Sequence, residues 1–277
     1  MKRKLIFPFI LSTIIIFTII FINKISFGSI LTNFDLSEYS FSNVDEILKN
    51  LISLIFITIL IYKIKNIKIF HFSFLKSDYK NYIFLIPLLF IYTNGFKSFI
   101  NFDASSHSSI TLITYTLKIF SSAILEEYLF RGLIFGLFFV YFSKTRKDIF
   151  TCVIFSNLIF GFAHIINLWS LDYMTFQYVI NQMYASFCIG VYFSALYLSS
   201  KNLLSLTIAH FIINFFSSLD EINFVENTSV SLENVENNIN NFIGELITIT
   251  IYSIPLIIGL YIIFKFKKDD IKILNRE

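Results

Sequence analysis

The chain has 277 residues, of which 56% are hydrophobic, 19% aromatic and only 15% charged, and its mean hydropathy is +0.71. A soluble domain devotes about 25% of its residues to charge, so this composition cannot cover a water-facing surface. It implies an all-α fold, a polytopic membrane helix bundle read as one membrane domain. The net charge is +3, and Lys and Arg are clustered in short loops rather than forming a continuous basic face, which argues against a nucleic-acid partner. Cys152 and Cys188 lie in apolar runs and have neither disulfide-framework nor zinc-finger spacing.

A membrane-crossing helix needs about 20 mostly apolar residues. In chain order the segments that qualify are roughly 5–22, 46–62, 82–100, 110–140, 149–166, 176–198, 203–218 and 243–264, which predicts eight spans. The first follows a basic start, but Leu5 to Ile22 is long for a signal sequence and no small-residue cleavage site follows, so it reads as a retained span. Pro8, Pro87 and Pro255 all fall within spans, where neighbouring helices re-satisfy the freed backbone groups. The loops after spans 2, 4 and 6 and both termini together hold seventeen of the 22 basic residues, all on one side of this layout. The opposite side carries the acidic, Asn-rich loop 219–241, without Lys or Arg. Both termini are therefore expected in the cytoplasm and that loop outside. The test is labelling of intact cells with a membrane-impermeant thiol reagent, after replacement of Cys152 and Cys188. Asn237→Cys should be modified and Lys144→Cys protected; the reverse pattern would overturn the orientation.

The organisation expected is spans 1–3 over residues 1–109, a core of spans 4–7 over 110–218, and an external loop, span 8 and cytoplasmic tail over 219–277. No internal repeat of the transporter kind is evident.

Span 4 contains "SSAILEEYLFRGLIFG", with three charges where water is scarce. A charge at the centre of a membrane helix costs at least about 2.5–3.5 kcal/mol, so each needs a partner, a cavity or a task. Glu127 and Arg131 are four apart and can pair along one face. Glu126 is turned about 100° away and has no such partner. A structural ion pair explains Glu127 and Arg131 but not Glu126. In span 5, Asn157, Gly161 and His164 form a narrow polar or small stripe; in span 7, Thr207, His210, Asn214 and Ser217 form another. Either stripe also reads as interhelical packing, and Gly132 and Gly136 as a close helix approach. His71 and His107 lie in loops and receive no role.

Spans 4 and 5 form a hairpin centred near Thr145, with Glu126 and His164 equally far from its tip, so a straight hairpin sets them at the same height. His210 lies about 14 Å from its own helix end, against about 28 Å for the other two. The heights agree if the hairpin tip projects beyond the bilayer. A helix over 110–142 would be about 50 Å long, well beyond a 30 Å hydrocarbon core, and favours this.

Three elements occur in order on three hydrophobic segments: E-E-x3-R ("EEYLFR"), F-x3-H ("FGFAH") and H-x3-N ("HFIIN"). Together they resemble the CPBP or Abi family, which contains CAAX prenyl endopeptidases and bacteriocin-processing and immunity proteins. The resemblance covers about residues 110–218 and implies an intramembrane endopeptidase. In it Glu126 and His164 activate a water, His210 and Asn214 stabilise the oxyanion, and Glu127 and Arg131 brace the site. The family has also been described as metalloproteases, and two His plus a Glu is a catalytic zinc set. Should a divalent metal such as zinc be bound, Glu126, His164 and His210 would be its ligands. The helical H-E-x-x-H motif is absent, so metal-free and metal-bound routes both stand at this level.

The implied partners are the lipid bilayer and a membrane-associated peptide or protein substrate. Heavy use of Ile, Asn, Lys and Phe suggests an AT-rich genome and a bacterial cell membrane. Two other readings compete: a non-catalytic bacteriocin-immunity or partner-binding protein on the same fold, and a transporter, which the lack of a repeat disfavours.

Overall fold

The structure is a computed structural model, and it describes residues 2–32, 34–64, 99–100, 102–142, 144–169, 176–219, 222 and 238–265. Among these the regular structure is helical throughout, with no strand. The helices are α1 (Lys2–Asn23), α2 (Gly28–Leu31), α3 (Glu38–Lys63), α4 (Ser109–Glu127), α5 (Phe135–Tyr141), α6 (Arg146–Ala163), α7 (Phe176–Ser200), α8 (Leu203–Ser217) and α9 (Asn238–Lys265). Among the described residues four stretches are long and apolar enough to cross a membrane: Ile6–Leu31, Arg146–Leu168, Phe176–Ser200 and Thr248–Lys265. Of the other expected spans, 82–100 lies outside the described residues except for Phe99 and Ile100, as do His71, most of the acidic 219–241 loop and the tail after Lys265. α8 is apolar but only 15 residues long, about 22 Å by the helical rise and short of a full bilayer core. α1 and α9 leave Phe17, Phe21, Ile257 and Tyr261 more than half exposed, as side chains facing lipid rather than water would be.

Local chemistry sets the helix starts that matter for the site. Ser108 caps α4 by accepting from the Thr111 N–H, and Asn202 caps α8 by accepting from the Ser205 N–H. The tip of the α5–α6 hairpin is closed by a capping box. The Thr145 hydroxyl accepts from the Asp148 N–H while the Asp148 carboxylate accepts from the Thr145 N–H. Lys201, in the turn between α7 and α8, is the sole non-glycine residue with positive φ among those described (φ 54°).

Two groups of helices enclose the centre. In one, α4 lies between α3 and α8; in the other, α7 lies between α6 and α9. The α3–α4 seam is polar: Asn50 donates to Ser121 and Ser122 at 3.0 and 2.9 Å, and Ser40 meets Thr111 at 3.4 Å. Such side-chain bonds hold helices together in lipid, where apolar burial offers no net drive. The α6–α7 seam is close: a Cβ on Gly161 would sit 2.8 Å from the Met183 carbonyl oxygen, and one on Gly190 2.5 Å from Asn157 Oδ1. Asn157 is buried there and donates to the Val153 carbonyl and to Ser194, both at 2.8 Å. The stripe on this helix thus packs through Asn157 and Gly161 and reserves His164 for the centre. Cys152 and Cys188 are both free and buried.

The expected single helix over 110–140 is interrupted. Between α4 and α5 the chain makes a π-helical segment, Tyr128–Ile134. Residues 129–138 are all buried, which one face of a straight amphipathic helix could not achieve. This segment touches α3, α4, α5, α6 and α8, so it is the hub of the bundle. π segments recur at functional sites because they re-aim side chains.

Candidate active site

The seven residues of the three motifs meet at this hub. Glu127 closes α4 and is completely buried, and Arg131, on the π segment, is 1% exposed; Arg131 Nη1 lies 3.2 Å from Glu127 Oε1. The guanidinium is stacked between aromatic rings, 4.5 Å from the Phe160 centroid and 5.6 Å from that of Phe193. An arginine cation is stabilised by ring faces as well as by carboxylate. The expected Glu127–Arg131 pair therefore forms, inside a box of two phenylalanines.

The adjacent glutamate is treated differently. Glu126 retains 30% of its side-chain exposure and faces a cavity of about 580 Å³ that is also lined by His164, His210, Asn214, Ser186 and Arg131. The turn of roughly 100° between consecutive helix residues separates the buried carboxylate from the accessible one.

His210 bridges the two. Its Nδ1 lies 2.7 Å from Glu127 Oε1, a short hydrogen bond, and its Nε2 lies 3.6 Å from Glu126 Oε2, too far for one. A carboxylate paired with Arg131 only accepts, so Nδ1 carries the proton. Nε2 then donates only when the ring is doubly protonated. The height difference anticipated between His210 and the hairpin residues is closed in the folded chain.

His164 ends α6 where the helix tightens into a 3-10 turn, His164–Trp169. Its N–H turns to the Gly161 carbonyl, which leaves the Phe160 carbonyl for the His164 ring, 3.0 Å from Nδ1. A carbonyl only accepts, so Nδ1 is protonated, and in the neutral ring Nε2 is a bare acceptor. Ser186 of α7 donates its hydroxyl to that Nε2 at 3.2 Å. Phe160 accordingly does two things: its carbonyl sets the His164 tautomer and its ring supports Arg131. That accounts for the phenylalanine of F-x3-H.

Asn214 stands one turn after His210 on α8 and lines the cavity. Among the described residues its side-chain amide makes no hydrogen bond, while its backbone carbonyl accepts from Ser218 at 2.6 Å. Thr207 and Ser217 of the same stripe bond back to helix carbonyls and are packing residues. His107 stacks on Phe102 at 5.6 Å, away from the centre.

Sequence reasoning did not find Ser186, Phe193 or Lys118, which also lines the cavity. Ser186 and Phe193 lie on α7, which carries no motif, and nothing in the spacing of a serine or phenylalanine there marks it. Lys118 carried a legible signal as a lysine inside a predicted span.

Among the described residues no three His, Cys, Asp or Glu groups are grouped to hold one ion. The Nδ1 atoms of both rings are held, that of His210 by Glu127 and that of His164 by the Phe160 carbonyl, an arrangement that fixes the ring orientation.

No curated protein and no solved structure matches the chain. Residues 108–216 match a family model, Rce1-like, described as type II CAAX prenyl endopeptidase Rce1-like. That match begins at the cap of α4, ends in the last turn of α8 and contains all seven motif residues, so over this stretch the chain is similar to the Rce1-like type II CAAX prenyl endopeptidases.

Proposed function

We propose that the protein is an intramembrane endopeptidase that hydrolyses a peptide bond in a membrane-associated peptide or protein, by CAAX-type or bacteriocin-type processing. The observation that carries this reading is the unequal treatment of two adjacent glutamates. Glu127 is buried against Arg131 and His210, whereas Glu126 stays open to a cavity shared with His164, His210 and Asn214.

In this reading a water beside Glu126 gives its proton to the carboxylate as the oxygen adds to the scissile carbonyl carbon. The bare Nε2 of His164 accepts the water's other hydrogen in place of the Ser186 hydroxyl. Charge gathers on the carbonyl oxygen, where the Asn214 amide N–H and the His210 Nε2–H are the available donors. His210 fills that role as an imidazolium, with Nδ1–H held by Glu127 and counter-charge supplied by both glutamates. Collapse of the adduct breaks the C–N bond, and the proton held by Glu126 passes to the departing amine. Glu127 and Arg131 are positioning residues: they hold His210 and touch no reacting atom. The membrane is that of a bacterial cell, with both termini cytoplasmic, a placement supported by the loop charges.

The test uses full-length protein in lipid nanodiscs and two mixed-sequence peptide libraries, one ending in a free carboxylate and one in an amide, with products sequenced by mass spectrometry. New termini should form with wild type and not with Glu126→Gln. Identical products from both would remove the proposal. We further propose a metal-free route, so turnover should survive dialysis against a chelator and gain nothing from added zinc. Loss on chelation with recovery on zinc addition would reinstate the metal reading.

A further inference from the structure

The bundle has a basic end. α3 ends at Lys63 and α9 at Lys265, Lys144, Arg146 and Lys147 lie where α5 turns into α6, and Lys201 lies between α7 and α8. Ring contacts gather these ends on one side. Phe7, near the start of α1, and Tyr141, at the end of α5, have their centroids 5.9 Å apart. Those of Phe150, near the start of α6, and Phe264, near the end of α9, are 6.3 Å apart. α3 runs parallel to α4, with Ser40 against Thr111 and Asn50 against Ser121, so Lys63 lies toward the same side. The other side carries Asp35, Glu38 and Asp103 against Lys24.

The cavity beside Glu126 starts near the middle of the bundle and runs away from the basic end. Along α7 its lining extends from Phe193 back to Tyr178, and along α8 from His210 on to Ser217. α9 contributes Thr248 from its first half and Tyr252 from its middle, and His164 follows the last residue of α6. Burial is graded in the same direction. Arg131 and Phe193 are 1% exposed and His210 8%, whereas Tyr178 is 52% exposed and Ser217 is also exposed. The cavity thus has a closed floor toward the basic end and an accessible rim at the opposite one.

Lys and Arg in short loops and near span ends are retained on the cytoplasmic side of a membrane. We infer that the cavity opens to the outer face of the membrane, and that its substrate is a polypeptide segment presented from outside the cell: an exported peptide or the external part of a membrane protein. The substrate class rests on the endopeptidase reading above; the direction of the opening rests only on the helix ends and their charge. Of the two kinds of processing proposed, this favours that of an exported peptide.

The test uses sealed right-side-out and inside-out vesicles from cells making the full chain. The probe is a charged, membrane-impermeant peptide chosen from the nanodisc products, with Glu126→Gln vesicles as the blank. Right-side-out vesicles should cut it as fast as they do after detergent opens them, and inside-out vesicles should lose the cutting until opened. Sealed inside-out vesicles that cut as fast as right-side-out ones or faster, or right-side-out vesicles that need detergent, would overturn the outward opening and leave the endopeptidase in place. A second measurement does not depend on activity. With Cys152 and Cys188 replaced, Ser217→Cys should react in intact cells with a membrane-impermeant thiol reagent. Reaction only after permeabilisation, or none at all, would overturn the opening. If neither nanodiscs nor opened vesicles give a Glu126-dependent cut, the endopeptidase reading falls, and the labelling still decides which face the cavity meets.

Discussion

Glu126→Gln is expected to insert and melt like wild type but to cut at least a hundredfold more slowly, while Glu127→Gln is expected to fail mainly at folding. A positioned general base contributes about 10²–10⁴-fold, and an amide cannot accept the water's proton. Because Glu126 keeps 30% of its side-chain exposure and lies 3.6 Å from His210 Nε2, too far for a hydrogen bond, the isosteric change disturbs little. Glu127 is another matter. It is completely buried, pairs with Arg131 and accepts from His210 Nδ1 at 2.7 Å. Removing its charge leaves a buried guanidinium uncompensated, and breaking a buried pair in this way costs about 3–5 kcal/mol. Arg131 would retain the faces of Phe160 and Phe193 and the unpaired charge of Glu126 across the cavity. Membrane yield, melting temperature and turnover per folded molecule, measured for both variants, separate the roles. Wild-type turnover in Glu126→Gln would remove the proposed base. A stable, well-expressed Glu127→Gln would show that the buried pair is not what holds the hub.

Asn214→Ala should leave thermal stability and substrate binding near wild type and lower turnover about a hundred- to a thousandfold, the effect of losing one oxyanion donor, about 2.7–4 kcal/mol. The geometry makes Asn214 the cleaner probe of the pair. Its amide makes no hydrogen bond among the described residues, so truncation strands no partner, whereas His210→Ala also strips Glu127 of its imidazole. If the two donors act on one oxygen, combining His210→Ala with Asn214→Ala costs less than the sum of the single changes. Ordinary helix packing predicts the opposite signature. An average interhelical hydrogen bond is worth about 0.6 kcal/mol, so stability would fall slightly and turnover per folded molecule would hold. Near-wild-type turnover in folded Asn214→Ala would return this stripe of α8 to packing.

The all-helical membrane class was legible in the sequence because lipid permits few solutions. Long apolar runs with scattered charges can satisfy their backbone only as helices, and the expected segments over 5–22, 110–140, 176–198 and 203–218 correspond closely to helical stretches observed. The pairing of Glu127 with Arg131 was legible too, because four-residue spacing is a local property of one helix. The three motifs marked Glu126, His164, His210 and Asn214, since polar groups placed in lipid carry information that the same groups on a wet surface would not.

Contacts between segments far apart in the chain were decided only by the tertiary structure. No spacing rule joins Glu127 to His210, 83 residues away, or Ser186 on α7 to the ring of His164. The π segment at Tyr128–Ile134 is likewise a tertiary outcome. Its apolar residues suit a helix of either winding, and the choice falls to the neighbours that bury all of residues 129–138. Glu126 and Glu127 are the same amino acid in adjacent positions on one helix. Sequence could say that they face different ways; the surrounding helices, by closing over one and leaving a cavity beside the other, decided which is buried and which stays open.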